Sequence, residues 1–231
     1  MRRWSAFPVQ QTPRPLVLVE SRVRIEQGFT TGEAKMAFLE GRVKANVEVP
    51  ARSLNALASQ ARPDPRRSGP PLLITEAELL ESEFQTDRGS QRLPAWRLTA
   101  QDALGPIWVL DPGVQDWQPA ADAGGSPPDL QPPGQDPGAR VDVAVDDRSL
   151  VVHWLGAVPE FERYPSATVI ESAAAFAVVP AGVDIGPPGA RTLAGFMHQV
   201  PAVLQEPVGA RVYVDLHGHA GRVVKAPACS G

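Results

Sequence analysis

Two imidazoles and a carboxylate stand at alternate positions in Asp215-Leu216-His217-Gly218-His219, the one constellation in the chain with the residue types for chemistry. On an extended strand, side chains two apart share a face, so Asp215, His217 and His219 would converge as a partial ligand shell for zinc or non-haem iron. The neighbouring residues argue for a different outcome. Val212-Tyr213-Val214 reads as a strand, His217 to Gly221 has turn composition, and Arg222-Val223-Val224 resumes a strand. In such a hairpin loop the two histidines splay into solvent. His153 and His198 sit in apolar runs and read as packing residues. Cys229, close to the carboxyl end, reads as a spare thiol rather than a positioned nucleophile. No G-x-S-x-G elbow, Walker loop, G-x-G-x-x-G, H-E-x-x-H or C-x-x-C pattern occurs. The residues therefore call for no cofactor and no catalytic group.

The elements that would position these residues are short. The chain has 231 residues, 43% of them hydrophobic, with 20 glycines and 25 prolines. That is enough apolar material for a core, and enough turn formers to keep strands brief. The net charge of −4 gives no electrostatic footprint for nucleic acid, and no apolar run reaches the length of a membrane span. A single cysteine excludes an internal disulfide and a thiolate-rich zinc site. Only Lys35, Lys44 and Lys225 are lysines among 22 basic residues. The arginines are scattered, as in a chain from a GC-rich genome, and the tightest group (Arg62, Arg66 and Arg67) lies in a proline-rich loop.

Residues 111–139 hold seven prolines and five glycines without apolar periodicity, and aspartates dominate the charge from 111 to 147. This composition defeats helix and sheet and reads as a flexible linker. It divides the chain into a module over 1–110 and a second over 140–231. In the first, Leu16 to Val19 is a short buried strand, and residues 41–49 alternate Val43, Ala45, Val47 and Val49 against polar neighbours, the period of a half-buried strand. Residues 31–40 form one or two helical turns between a threonine cap and Gly41. Residues 79–86 and 95–99 flank Asp87-Arg88-Gly89-Ser90 as a hairpin, and Gly105-Pro106 turns into Ile107 to Leu110. In the second module, residues 141–145 and 150–155 make a hairpin around Asp146-Asp147. Residues 168–179 read as one long strand, and 192–205, 210–216 and 222–225 as three more. The fold class is mainly β, or α+β: two small antiparallel-sheet modules with at most one short helix, in the first.

Met1-Arg2-Arg3-Trp4 opens like a charged leader, but prolines follow where an apolar segment would be, so the chain as written reads as cytoplasmic. A leader missing from the sequence would instead make it a secreted or envelope protein. Three segments carry a resemblance: Glu33-Ala34-Lys35-Met36-Ala37-Phe38-Leu39-Glu40-Gly41-Arg42-Val43, then Leu93-Pro94-Ala95-Trp96-Arg97-Leu98, then Pro207-Val208-Gly209-Ala210-Arg211-Val212-Tyr213-Val214-Asp215. In this order they resemble an uncharacterised family of two-part, β-rich actinobacterial proteins. The resemblance implies a secreted or lipid-anchored envelope protein with no assigned chemistry, so it transfers no catalytic residue. This chain departs from the family in lacking its leader and its carboxyl-terminal cysteine pair.

The leading expectation is a non-catalytic binding or structural protein. A metal-dependent hydrolase or oxygenase using Asp215, His217 and His219 is the alternative. A subunit of a larger assembly, paired through exposed strand edges with an unknown protein partner, is the third.

Overall fold

The computed structural model describes residues 2–59, 69–119, 140–186 and 195–226, and the protein is mainly β: among these residues twelve strands form three sheets. In the first half lie β1 (Val23–Ile25), helix α1 (Gly32–Leu39), β2 (Val43–Ala45), helix α2 (Ala51–Ser59), β3 (Leu72–Thr86), β4 (Gly89–Ala100) and β5 (Ile107–Leu110). The second half contributes β6 (Arg140–Val143), β7 (Ser149–Gly156), β8 (Glu162–Glu171), β9 (Ala175–Asp184), β10 (Phe196–Val203), β11 (Val212–Val214) and β12 (Arg222–Lys225).

The first sheet has the order β1-β5-β4-β3-β2 and is built on the long β3–β4 hairpin. A bulge shifts the register between Ile74 and Glu76. Because side chains alternate across a strand, the extra residue Thr75 puts Ile74 and Ala77 on one face, with Ala100 and Leu98 opposite them. That face meets the helices in a core containing Phe38, Leu57, Ile74, Leu98, Ile107 and Val109. The other face is buried only near the hairpin tip, where Phe84, Ala95 and Leu110 pack with Leu18, Leu93 and Trp108. Strand β5 thus serves both cores through alternate residues.

Helix α1 begins as its cap predicts, with the Thr31 hydroxyl accepting from Ala34 N at 3.1 Å, and the chain leaves it through Gly41 at φ +68°. Helix α2 is a second helix where one at most was expected. Pro50 precedes it, with Ser53 N and Leu54 N donating to the Pro50 carbonyl at 2.8 and 3.2 Å. Leu54 and Leu57, three apart, press one side of it onto the core. The alternation over 43–49 is real in burial, but only Val43–Ala45 pair with a neighbour. Pro50 removes a donor and fixes φ, which ends the extended run and suits a helix start.

The second half packs the four-stranded sheet β10-β7-β6-β12 against the three-stranded sheet β11-β9-β8. Val141, Val152, Phe176, Val200, Tyr213 and Val223 meet between them. The hairpin around Asp146-Asp147 forms as read, with Asp147 at φ +58°. The expectation of purely antiparallel sheets needs correction, because β2–β3, β6–β12 and β9–β11 are parallel pairs. Parallel neighbours require long crossovers, and the chain supplies them with α2 and with the strands lying between the paired elements. The long strand read over 168–179 is also two strands. Ser172 folds the chain back, its hydroxyl accepting from Ala175 N at 3.0 Å while its amide donates to the Ala175 carbonyl at 2.8 Å.

The two halves are not separate beads. Trp4, Phe7 and Val17 from the amino-terminal segment pack on Ala174, Ala175, Ala177, Val212 and Val214. Trp117, in the segment read as linker, lies 5.1 Å from the Trp4 ring and edge-on to Phe7 at 5.2 Å. The alanines of β9 form the low floor that admits two indoles. Asp111 of the same segment accepts from Trp96 Nε1 at 2.8 Å, and Asp116 pairs with Arg22. Residues 120–139 of the expected linker lie outside the described residues, as do Cys229 and the arginines at 62, 66 and 67. Trp4 is 3% exposed, so Trp4→Ala is expected to cost about 3–5 kcal/mol, with Trp4→Phe restoring most of it. Urea unfolding measures this; a loss below about 1 kcal/mol would mean that the amino-terminal segment lies on the fold without supporting it.

Candidate functional site

Asp215 follows β11 and begins a tight turn whose far side returns through the Val214–Ala220 bridge. Its Oδ1 accepts from the amides of His217 at 2.9 Å and His219 at 2.8 Å, and its own amide donates to the His219 carbonyl at 2.8 Å. Gly218 takes φ +85°, a conformation that side chains rarely adopt, and its carbonyl accepts from Trp4 Nε1 at 3.0 Å. The turn expected from composition is present. Its histidines stay side by side rather than splaying, with ring centroids 6.3 Å apart and His219 Nδ1 3.7 Å from Asp215 Oδ2. Among the described residues no group of three or more His, Cys, Asp or Glu side chains is disposed to hold a metal ion. Asp215 Oδ1 is committed to the backbone amides of its own turn, and Oδ2 is the oxygen near His219. His153 bonds Asp142 Oδ2 at 2.9 Å, and His198 packs edge-on against Tyr164 with centroids 4.7 Å apart.

A concavity of about 470 Å³ lies beside Glu171, Ser172, Gln205, Glu206 and Arg211. Its polar groups are mutually engaged. Arg211, buried, holds Glu171 Oε2 at 2.8 Å and the Pro207 carbonyl at 3.0 Å, and it also donates to the Glu206 carbonyl. Glu171 accepts from Gln205 N at 2.7 Å as well. Burial alone would raise the Glu171 carboxyl, but the Gln205 amide, the Arg211 guanidinium and the Glu206 amide outweigh it and hold it below the usual carboxylate range. This network ties the loop after β10 to the β8–β9 turn and leaves little for a ligand.

The densest buried electrostatics lie at the tip of the β3–β4 hairpin. Thr86 is fully buried, its hydroxyl donating to the Gly89 carbonyl at 2.7 Å and accepting from Arg88 N at 3.2 Å, while Gly89 takes φ +105°. Asp87 is 1% exposed and grips Arg14 with both oxygens, at 3.1 and 2.5 Å. Arg88 Nε lies 3.7 Å from the same carboxylate. Both arginines then reach the second half: Arg14 Nε donates to the Ala210 carbonyl at 2.9 Å, and Arg88 Nη2 to the carbonyls of Gly209 at 3.1 Å and Arg211 at 2.5 Å, while the buried Arg88 Nη1 has no hydrogen-bond partner among the described residues. The Asp87 backbone is held on both sides, its amide on the Val17 carbonyl at 3.0 Å and its carbonyl on Val223 N at 2.8 Å. Asp147 completes the cluster, accepting from Gly209 N at 2.8 Å and pairing with Lys225 at 2.7 Å. Burial pulls the Arg88 guanidinium below its ordinary value, and the Asp87 charge opposes that pull.

Composition offered no sign of this cluster. Asp-Arg-Gly in a hairpin reads as a solvated turn, and only the distant arrival of Arg14 and the 209–211 loop buries it. Protein-family models, curated proteins and solved structures were compared with the chain, and none matches it. No helix among the described residues is long and apolar enough to cross a membrane.

Removing the Asp87 carboxylate leaves two part-buried guanidinium groups without their counter-charge. Asp87→Ala is expected to destabilise the protein by about 3–5 kcal/mol, read as the shift of the urea midpoint at unchanged slope. A change within about 0.5 kcal/mol would mean that the pair is not what holds the halves together.

Proposed function

We propose that the protein is a non-catalytic binding or structural protein whose two β-rich halves act as one docked body. The observation that carries this reading is the engagement of Asp215 Oδ1 with two backbone amides, which makes the His217–His219 turn a structural element. The buried charges at Asp87 and Arg211 are likewise spent on joining segments of the chain. The resemblance of the three segments to actinobacterial envelope proteins supports a place at the cell envelope.

The rival is a metal-dependent hydrolase or oxygenase, favoured by the side-by-side histidines and the free Asp215 Oδ2 near His219. Elemental analysis by inductively coupled plasma mass spectrometry, on protein purified without an affinity tag, separates the two. The expected result is zinc and iron far below stoichiometry, unchanged in Asp215→Ala. One equivalent of either metal, lost in Asp215→Ala while the fold persists, would establish the rival.

A further inference from the structure

Strand β3, fifteen residues long, is covered unequally on its two sides. On one side β4 pairs with it throughout, from Ile74 to Thr86. On the other side β2 reaches only Leu72 to Ile74, and the segment 17–20 returns only to its last residues. Between these two flanking pieces the strand has an open edge.

Hydrogen bonding fixes which groups face that edge. Gln85 presents its amide and carbonyl away from β4, since Glu20 Oε1 accepts from Gln85 N at 2.6 Å and Val19 N donates to the Gln85 carbonyl at 3.0 Å. Glu83 turns its carbonyl the same way, to Arg24 at 2.6 Å. The register with β4 is continuous from Glu76 to Thr86, so the alternation carries back to Glu81, Leu79 and Ala77. Among the described residues, the amides and carbonyls of these three have no partner. The opening is about 15 Å long, room for four or five residues of an extended peptide.

The side chains around the opening select what could enter. Glu76 and Glu78 share one face with Leu80, and Glu81 and Glu83 share the other with Leu79. Leu79 and Leu80 are 50% and 38% exposed. Arg92 lies 3.5 Å from Glu81, and Glu76 accepts from Thr99 at 3.0 Å, so β4 already supplies some of these carboxylates with a partner on its own side. A second copy of this edge would set carboxylates against carboxylates, the device by which sheet edges resist self-pairing. An arginine- or lysine-bearing strand reverses the sign of every such contact.

We propose that the open edge of β3, over residues 77–81, binds an extended basic peptide of a partner protein by strand addition. The proposal rests on the reading of the chain as a binding protein, and it supplies the class of partner. Backbone groups of Ala77, Leu79 and Glu81 give the added strand its hydrogen bonds, the glutamates select its charge, and Leu79 and Leu80 cover its apolar side chains.

The test uses the full chain, ¹⁵N-labelled, titrated with a blocked peptide of alternating valine and arginine and with its valine–glutamate counterpart. The expected result is slowed amide exchange at Ala77, Leu79 and Glu81 with the arginine peptide alone. Leu79→Pro removes an edge donor without touching the ladder to β4, and is expected to weaken binding about tenfold. The double variant Glu78→Arg/Glu81→Arg, which keeps every backbone group, is expected to abolish the preference for the arginine peptide even if Leu79→Pro perturbs the fold. No protection at the edge, equal binding of both peptides, or self-association of the chain through these residues would each overturn the proposal. Asp215 and the histidines take no part in this experiment, so its failure leaves the reading of their turn intact, and a bound metal would leave the edge intact.

Discussion

A carboxylate buried at a hairpin tip has to be answered by positive charge, because an unpaired charge out of water is among the most destabilising features a fold can contain. Asp87 is answered from two directions, by Arg14 of the amino-terminal segment and by its own neighbour Arg88. Both arginines also donate to carbonyls of the second half. The pairing therefore has meaning only when three separated stretches of chain are in place together. It gives an otherwise loose juxtaposition a single geometry.

The shape of the first sheet follows from that requirement. A fifteen-residue strand is long for a sheet of this size, and most of its middle is exposed. The length carries the tip from the helical core to the second half. The bulge at Thr75 allows one ribbon to turn one face to the helices and the opposite face to the small core around Phe84. The open edge of β3 is a by-product of the same span, since β2 and the segment 17–20 reach only its two ends on the side away from β4. On the other side of the joint, the alanines of β9 keep the sheet surface low enough for Trp4 and Trp117 to close over it.

Local pattern made much of this legible. The β3–β4 and β6–β7 hairpins, the capped helix after Thr31 and the turn after Val214 all follow from residue types within a few positions of one another. Helix α2 escaped because between Pro50 and Ser59 only the Leu54–Leu57 spacing marks an apolar side, too short a pattern to announce a helix alone. The alanine run before Phe176 carries no marker of the Ser172 turn. The Asp87 cluster was invisible for a more basic reason. Its partners stand 73 residues upstream and more than 120 downstream, and no property of a turn reports what will cover it. For Asp215, His217 and His219, spacing brought out the residues, whereas only the hydrogen bonds show the carboxylate holding its own turn.

Differential scanning calorimetry of the whole chain tests the interlocking of the halves most directly. Three segments tied through one buried carboxylate unfold together, giving a single transition whose calorimetric and van't Hoff enthalpies agree. Two resolved transitions, one for each half, would contradict the interlocked body and return the chain to two independent modules on a tether.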